Sequence, residues 1–140
     1  MKRLRVAIVG AGIGAQHLAG FKALPELFEV AVICDRDEAR AATLAAEVGA
    51  QVHRDCDDML LERGDLDIID ICLPPFLHFD AVRRALQASR HVICEKPLVG
   101  SVSQADKLAA LAERCGRVLM PVFQVRFGNG IARARHLIES

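Results

Sequence analysis

An apolar run, Arg5 to Val9, leads directly into Gly10, Gly12 and Gly14, with Ala15 next in line. Read as G-x-G-x-x-A after a strand, this spacing demands a strand, a tight turn and a helix, with the backbone close to a bound pyrophosphate. Gly10 permits the turn, and Gly12 leaves room for the phosphates. Ala15 is small enough for the helix to pack closely on the strand. Ile13 and Gly14 complete the loop, which opens onto a helix N-terminus where free N–H groups and the helix dipole favour an anion.

A second apolar run, Phe28 to Cys34, ends in Asp35, twenty residues beyond Ala15. A carboxylate at that distance suits the 2′-hydroxyl of a ribose. Asp35 also reads as a helix N-cap, because Asp37, Glu38 and Arg40 follow in helical sequence. Together the glycines and Asp35 imply a dinucleotide, NAD in preference to NADP. Arg36 and Arg40 leave NADP open, since either would pair with a 2′-phosphate.

The 140 residues suggest one domain with a single sizeable core. Formal net charge is zero with acids and bases interspersed, so there is no basic footprint for nucleic acid. No apolar run approaches the roughly 18 residues of a membrane span. Lys2, Arg3 and Arg5 ahead of an apolar stretch mimic a secretory signal, but three glycines interrupt that stretch and the fingerprint uses the same residues. Five cysteines (34, 56, 72, 94 and 115) are widely spaced with no C-x-x-C pair, so neither metal nor redox-pair chemistry is expected. Cys34, Cys72 and Cys94 fall in or beside apolar strands and read as buried reduced thiols, which suits the cytoplasm.

Strand-like runs alternate with helical patterns along the whole chain. The strands expected are 5–9, 28–34, 51–53, 66–73, 91–94 and 118–122. The helices expected are 15–24, 37–48, 57–63, 78–88, 103–114 and 129–139. Gly49 reads as a helix stop, and Ser103 with Asp106 as a capping box. The strands are continuous apolar runs such as Ile68-Ile69-Asp70-Ile71-Cys72-Leu73, as in a parallel sheet covered on both faces. The fold expected is α/β: a doubly wound, mainly parallel Rossmann sheet of order 3-2-1-4-5-6. Ligand then binds at the carboxyl ends of the strands.

Three further segments fall at those ends: Leu73-Pro74-Pro75-Phe76-Leu77-His78, Glu95-Lys96-Pro97, and Gln124-Val125-Arg126-Phe127. G-A-G-I-G-A, then C-D-R-D, L-P-P-x-x-H and E-K-P, in this order, resemble the N-terminal domain of the Gfo/Idh/MocA oxidoreductases over nearly the whole chain. The resemblance implies that Lys96 lies beside the nicotinamide and contacts the reacting hydroxyl or carbonyl of a sugar or polyol. A cation there would polarise the carbonyl or lower the pKa of the hydroxyl. Glu95 would orient Lys96 and meet the nicotinamide ribose, and Pro97 would fix the turn, with Lys96–Pro97 a candidate cis peptide. The Leu73, Pro74 and His78 loop would line the cofactor cleft. The family's usual T-P-N is absent there, so only backbone contacts are expected from Leu73 and Pro75. Gln124 and Arg126 resemble residues facing the substrate. His17, His53, His91 and His136 lack ligand spacing and read as structural.

Family members carry a second domain with the substrate pocket, often the site of their oligomer contacts. Residues 1–124 are therefore expected to be the dinucleotide-binding domain and 125–140 the start of the connection to a substrate domain. The expected activity is hydride transfer between NAD(P) and a secondary hydroxyl or carbonyl by the longer parent, with this chain alone inactive. Partners would be a small sugar or polyol, with no nucleic acid and no membrane. Two other classes stay open: a non-catalytic cofactor-binding regulator and a coenzyme A-binding domain.

Overall fold

The computed structural model describes residues 2–140. Six strands form one all-parallel sheet: β1 (Leu4–Val9), β2 (Phe28–Cys34), β3 (Gln51–His53), β4 (Ile68–Ile71), β5 (His91–Cys94) and β6 (Leu119–Pro121). Their order is β3-β2-β1-β4-β5-β6, as expected from the sequence. The helices are α1 (Gly14–Lys22), α2 (Glu38–Ala46), α3 (Cys56–Glu62), α4 (His78–Gln87), α5 (Val102–Cys115) and α6 (Asn129–Glu139). Short 3₁₀ turns at Pro75–Leu77 and Gln124–Phe127 precede α4 and α6.

Alternation along the strands, interrupted in β2 at Ala31 where its register on β1 shifts by one residue, splits the core in two. Val6, Ile8, Val30, Ile33, Ile68 and Cys72 pack with Leu18 of α1 and with Ala41, Leu44 and Ala45 of α2. Ala7, Val9, Val32, Ile69, Ile71 and Val92 face the other way, against Met59, Val82, Leu86 and Leu108 of α3, α4 and α5. Both faces of the central strands are therefore dry, which is why they read as unbroken apolar runs.

Most element ends fall within two residues of expectation, and β4 and α5 show what sets them. Strand β4 is shorter than 66–73. Its neighbours offer ladder partners only from Ile68, opposite Val6 and His91, to Ile71, opposite Val9 and Cys94. Before it, Asp67 turns its carboxylate to the Arg5 N–H at 2.8 Å, and after it Pro74 ends any ladder. Helix α5 begins at Val102, not at Ser103: its N-cap is Ser101, whose hydroxyl accepts from the Gln104 N–H. A serine stands on each side of Val102, and the one with extended backbone (ψ 155°) takes the cap.

Candidate functional site: a glycine-lined cleft at the carboxyl edge

The turn after β1 works as its glycines suggest. Gly10 has φ +103°, and a Cβ there would lie 2.5 Å from the Cys72 carbonyl oxygen, so both conformation and space call for glycine. Gly12 is the open position: a Cβ there meets nothing within 4 Å. Close packing of helix on strand falls to Gly14, where a Cβ would meet Ile8 Cγ2 at 2.7 Å. Ala15, given that task in the sequence reading, is exposed instead. Helix α1 starts one residue earlier than expected, and this turns Gly14 toward the sheet. Among the described residues no side chain caps the start of α1, whose Ala15 and Gln16 N–H groups turn back to the Gly12 and Ile13 carbonyl oxygens.

A cavity of about 820 Å³ opens beside this turn. Gly10, Gly12, Ile13, Asp35, Arg36, Leu73 and Pro74 border it, as the sequence led us to expect of cofactor-binding residues, and so do Arg40, Arg54 and the exposed ring of Phe76. Asp35 accepts the Ala11 N–H at 2.7 Å through Oδ2 and the Asp37 N–H at 2.9 Å through Oδ1. It thus holds the glycine loop and the entry to α2. The N-cap of α2 is Asp37, which accepts the Arg40 N–H. Asp35 is therefore free of the capping role that its sequence position also allowed. The open Gly12, the uncapped helix start and Asp35 at the cavity rim fit a dinucleotide.

Gly14 lies beneath the loop, and His78, Glu95 and Lys96 do not border this cavity. His78 is fully buried, one ring nitrogen 2.7 Å from the Leu73 carbonyl oxygen and the other 2.8 Å from that of Pro97. The ring joins the two loops from behind the cleft wall. It is not on the lining, where the sequence reading had set it. Lys96 is exposed and borders a second hollow of about 430 Å³ with Pro97, Phe123, Gln124, Val125 and Arg126. The Lys96–Pro97 peptide is cis. Glu95 Oε2 accepts the Lys96 N–H at 2.9 Å.

Sequence reasoning missed one cluster. His17, on α1, has Nδ1 2.9 and 3.1 Å from the two carboxylate oxygens of Asp70 and Nε2 3.1 Å from Glu95 Oε1. Asp70 is wholly buried. Hydrogen bonding to Asp70 raises the His17 pKa to about 8, against the opposing cost of burial. The available signal was an aspartate inside an apolar strand, with a histidine one turn into the fingerprint helix. The cysteines are all free. Burial pushes the Cys34 and Cys94 thiols up to about 12 and Cys72 higher still, so none is poised as a thiolate.

Among the described residues no helix is long and apolar enough to cross a membrane. Residues 4–123 match the Gfo/Idh/MocA oxidoreductase family, NAD-binding Rossmann fold. The chain is 40% identical over 133 residues to D-xylose 1-dehydrogenase (NADP(+)) 2 of Haloferax volcanii, covering 93% of the chain and 40% of that protein. It is 36% identical over 139 residues to D-glucoside 3-dehydrogenase of Escherichia coli, covering 98% and 39%. The crystal structure of GenD2 from gentamicin A biosynthesis, in complex with NAD, superposes with a TM-score of 0.92 at 32% identity, over 98% of the chain and 39% of that protein. The chain thus spans about 40% of the length of the relatives it matches. By sequence match, sheet order and glycine loop alike, the chain belongs to the Gfo/Idh/MocA oxidoreductase family, and residues 4–123 are its NAD-binding Rossmann fold.

Proposed function

We propose that this chain is the cofactor-binding part of an oxidoreductase that moves hydride between NAD(H) and a secondary hydroxyl or carbonyl of a sugar or polyol. The observation that carries this reading is the open face at Gly12, beside an uncapped helix start and a cavity rimmed by Asp35. Relatives named for xylose, glucoside and inositol dehydrogenation support the substrate class.

The pyrophosphate would lie over Gly12 and Ile13 at the start of α1, with Gly14 supporting the turn from beneath, and Asp35 and Arg36 would meet the adenosine ribose. Leu73 and Pro74 would border the cleft through their backbone. Asp35 favours NAD(H): its charge repels a 2′-phosphate, while its oxygens keep lone pairs for ribose hydroxyls. The cofactor, when bound, supplies the hydride chemistry. Lys96 is the candidate catalytic residue: its ammonium would polarise the substrate oxygen and stabilise charge there. Glu95 would hold Lys96 through its N–H and face the nicotinamide ribose.

Residues 1–124 form the dinucleotide-binding domain in this reading, and 125–140 lead toward a substrate domain. Turnover needs that further positioning, which commonly supplies about 7–11 kcal/mol of barrier reduction. The 140 residues alone would bind cofactor with negligible turnover. Five free thiols support a reducing, cytoplasmic setting.

Titration with NADH, NADPH and coenzyme A tests the proposal. The chain has no tryptophan, so binding is followed by NADH fluorescence or calorimetry. NADH should bind tightest. Coenzyme A binding tighter than either nicotinamide would overturn the assignment, and equal or tighter NADPH binding would overturn the Asp35 preference.

A further inference from the structure

We infer that His17 is a positioning residue for the Glu95–Lys96 loop: as a cation, it ties Glu95, at the end of β5, to the buried Asp70 of β4. The inference rests on the cofactor reading above only in its consequence for binding. The sheet makes the cluster. Asp70 lies opposite Ile93 in the parallel register, and Glu95 follows two residues later on the same face. That face is the one α1 covers, with Ile68 and Cys72 packed in the same core as Leu18. Residues 17, 70 and 95 therefore meet only through the strand order.

The chemistry of the ring decides its state. Its two nitrogens face two carboxylates, Asp70 at 2.9 Å and Glu95 at 3.1 Å. A neutral imidazole donates from one nitrogen and would turn a lone pair on the other carboxylate, whereas an imidazolium donates to both. Asp70 has no exposure, and a buried carboxylate without a donor is costly. The third group facing the ring is the Cys72 sulfur, 3.4 Å from Nδ1; burial keeps it a neutral thiol, so it does not offset the two carboxylates. Glu95, gripped through Oε1, then offers Oε2 to the Lys96 N–H at 2.9 Å. The direction in which Lys96 leaves β5 thus depends on the ring.

The folded-state pKa of His17 is raised from 6.5 to about 8, so its hold is complete below about pH 6.5 and is lost as pH rises through about 8. Loss of the proton loosens the Glu95–Lys96 loop and with it the nicotinamide end of the cleft.

The test is ¹⁵N-histidine NMR on the 140-residue chain, paired with NADH affinity against pH. The His17 ring should show both nitrogens protonated at neutral pH, with a midpoint near 8. Glu95→Gln and Asp70→Asn should each lower that midpoint. NADH should bind about tenfold more weakly above the midpoint than below it, and His17→Gln should flatten this dependence. The NMR readings need no cofactor, so failure of NADH to bind at any pH would count against the cofactor reading alone. A ring midpoint at or below 6.5, or one unmoved by Glu95→Gln, would overturn the inference. So would pH-independent NADH affinity in the unaltered chain. Should His17→Gln fail to fold, the ring midpoints decide.

Discussion

Gly12 and Gly14 sit two positions apart and are glycine for opposite reasons. Gly12 faces open space, so Gly12→Val should fold with an unchanged denaturation midpoint yet lose NADH binding, because the branched side chain fills the phosphate position. Gly14 faces Ile8, so Gly14→Val should overpack the α1–β1 contact and cost about 1–3 kcal/mol in a denaturant titration. The reverse pattern would mean that the phosphate site lies elsewhere. Asp35→Ala removes the acceptor of the Ala11 N–H together with the proposed ribose contact. Hydrogen bonds to a charged group contribute about 1.5–3 kcal/mol, so NADH affinity should fall about tenfold or more while NADPH affinity falls less. Matched titrations of the two cofactors measure the ratio. The turn at Gly10 and the open position at Gly12 were legible in the sequence because the spacing implies both; Asp35 also read as a helix N-cap, and only the structure gives that cap to Asp37. Ala15 was misread because one residue of helix phase decides which small side chain meets the strand.

Strands and their order followed from apolar runs, since both faces of β1, β2 and β4 are buried. Their ends did not, because a strand stops where its neighbours stop offering partners. Helix ends turned on single side chains. Ser101→Ala should cost about 1 kcal/mol by removing the α5 cap, and Ser103→Ala should cost far less; thermal or chemical denaturation of the two variants separates them. The His17–Asp70–Glu95 cluster was not legible: its members lie 53 and 78 positions apart in the chain, and Asp70 was absorbed into an apolar run. That cluster joins α1 to β4 and β5. With the His17 pKa raised from 6.5 to about 8, folding favours the protonated ring over the neutral one by on the order of 2 kcal/mol, a margin present at acid to neutral pH and lost as pH rises through about 8. Denaturation midpoints should fall as pH rises from about 6.5 past 8, and His17→Gln should remove that slope.

The last stretch of the chain differs from the rest. No residue of the 124–127 turn or of α6 is buried, and Phe127 and Ile138 are 79% and 85% exposed. Elements with so little packing open readily, so amides of α6 should exchange with solvent far faster than those of β1 and β4. Protection of α6 equal to that of the sheet would contradict this picture and count against a boundary near residue 124. Whether a dinucleotide lies over the open glycine of this Rossmann cleft is read by calorimetric titration of the chain and its Gly12→Val variant with NADH. The chain should show saturable one-to-one binding and the folded variant none. Equal binding by the two, or no binding by the unaltered chain, would contradict that placement.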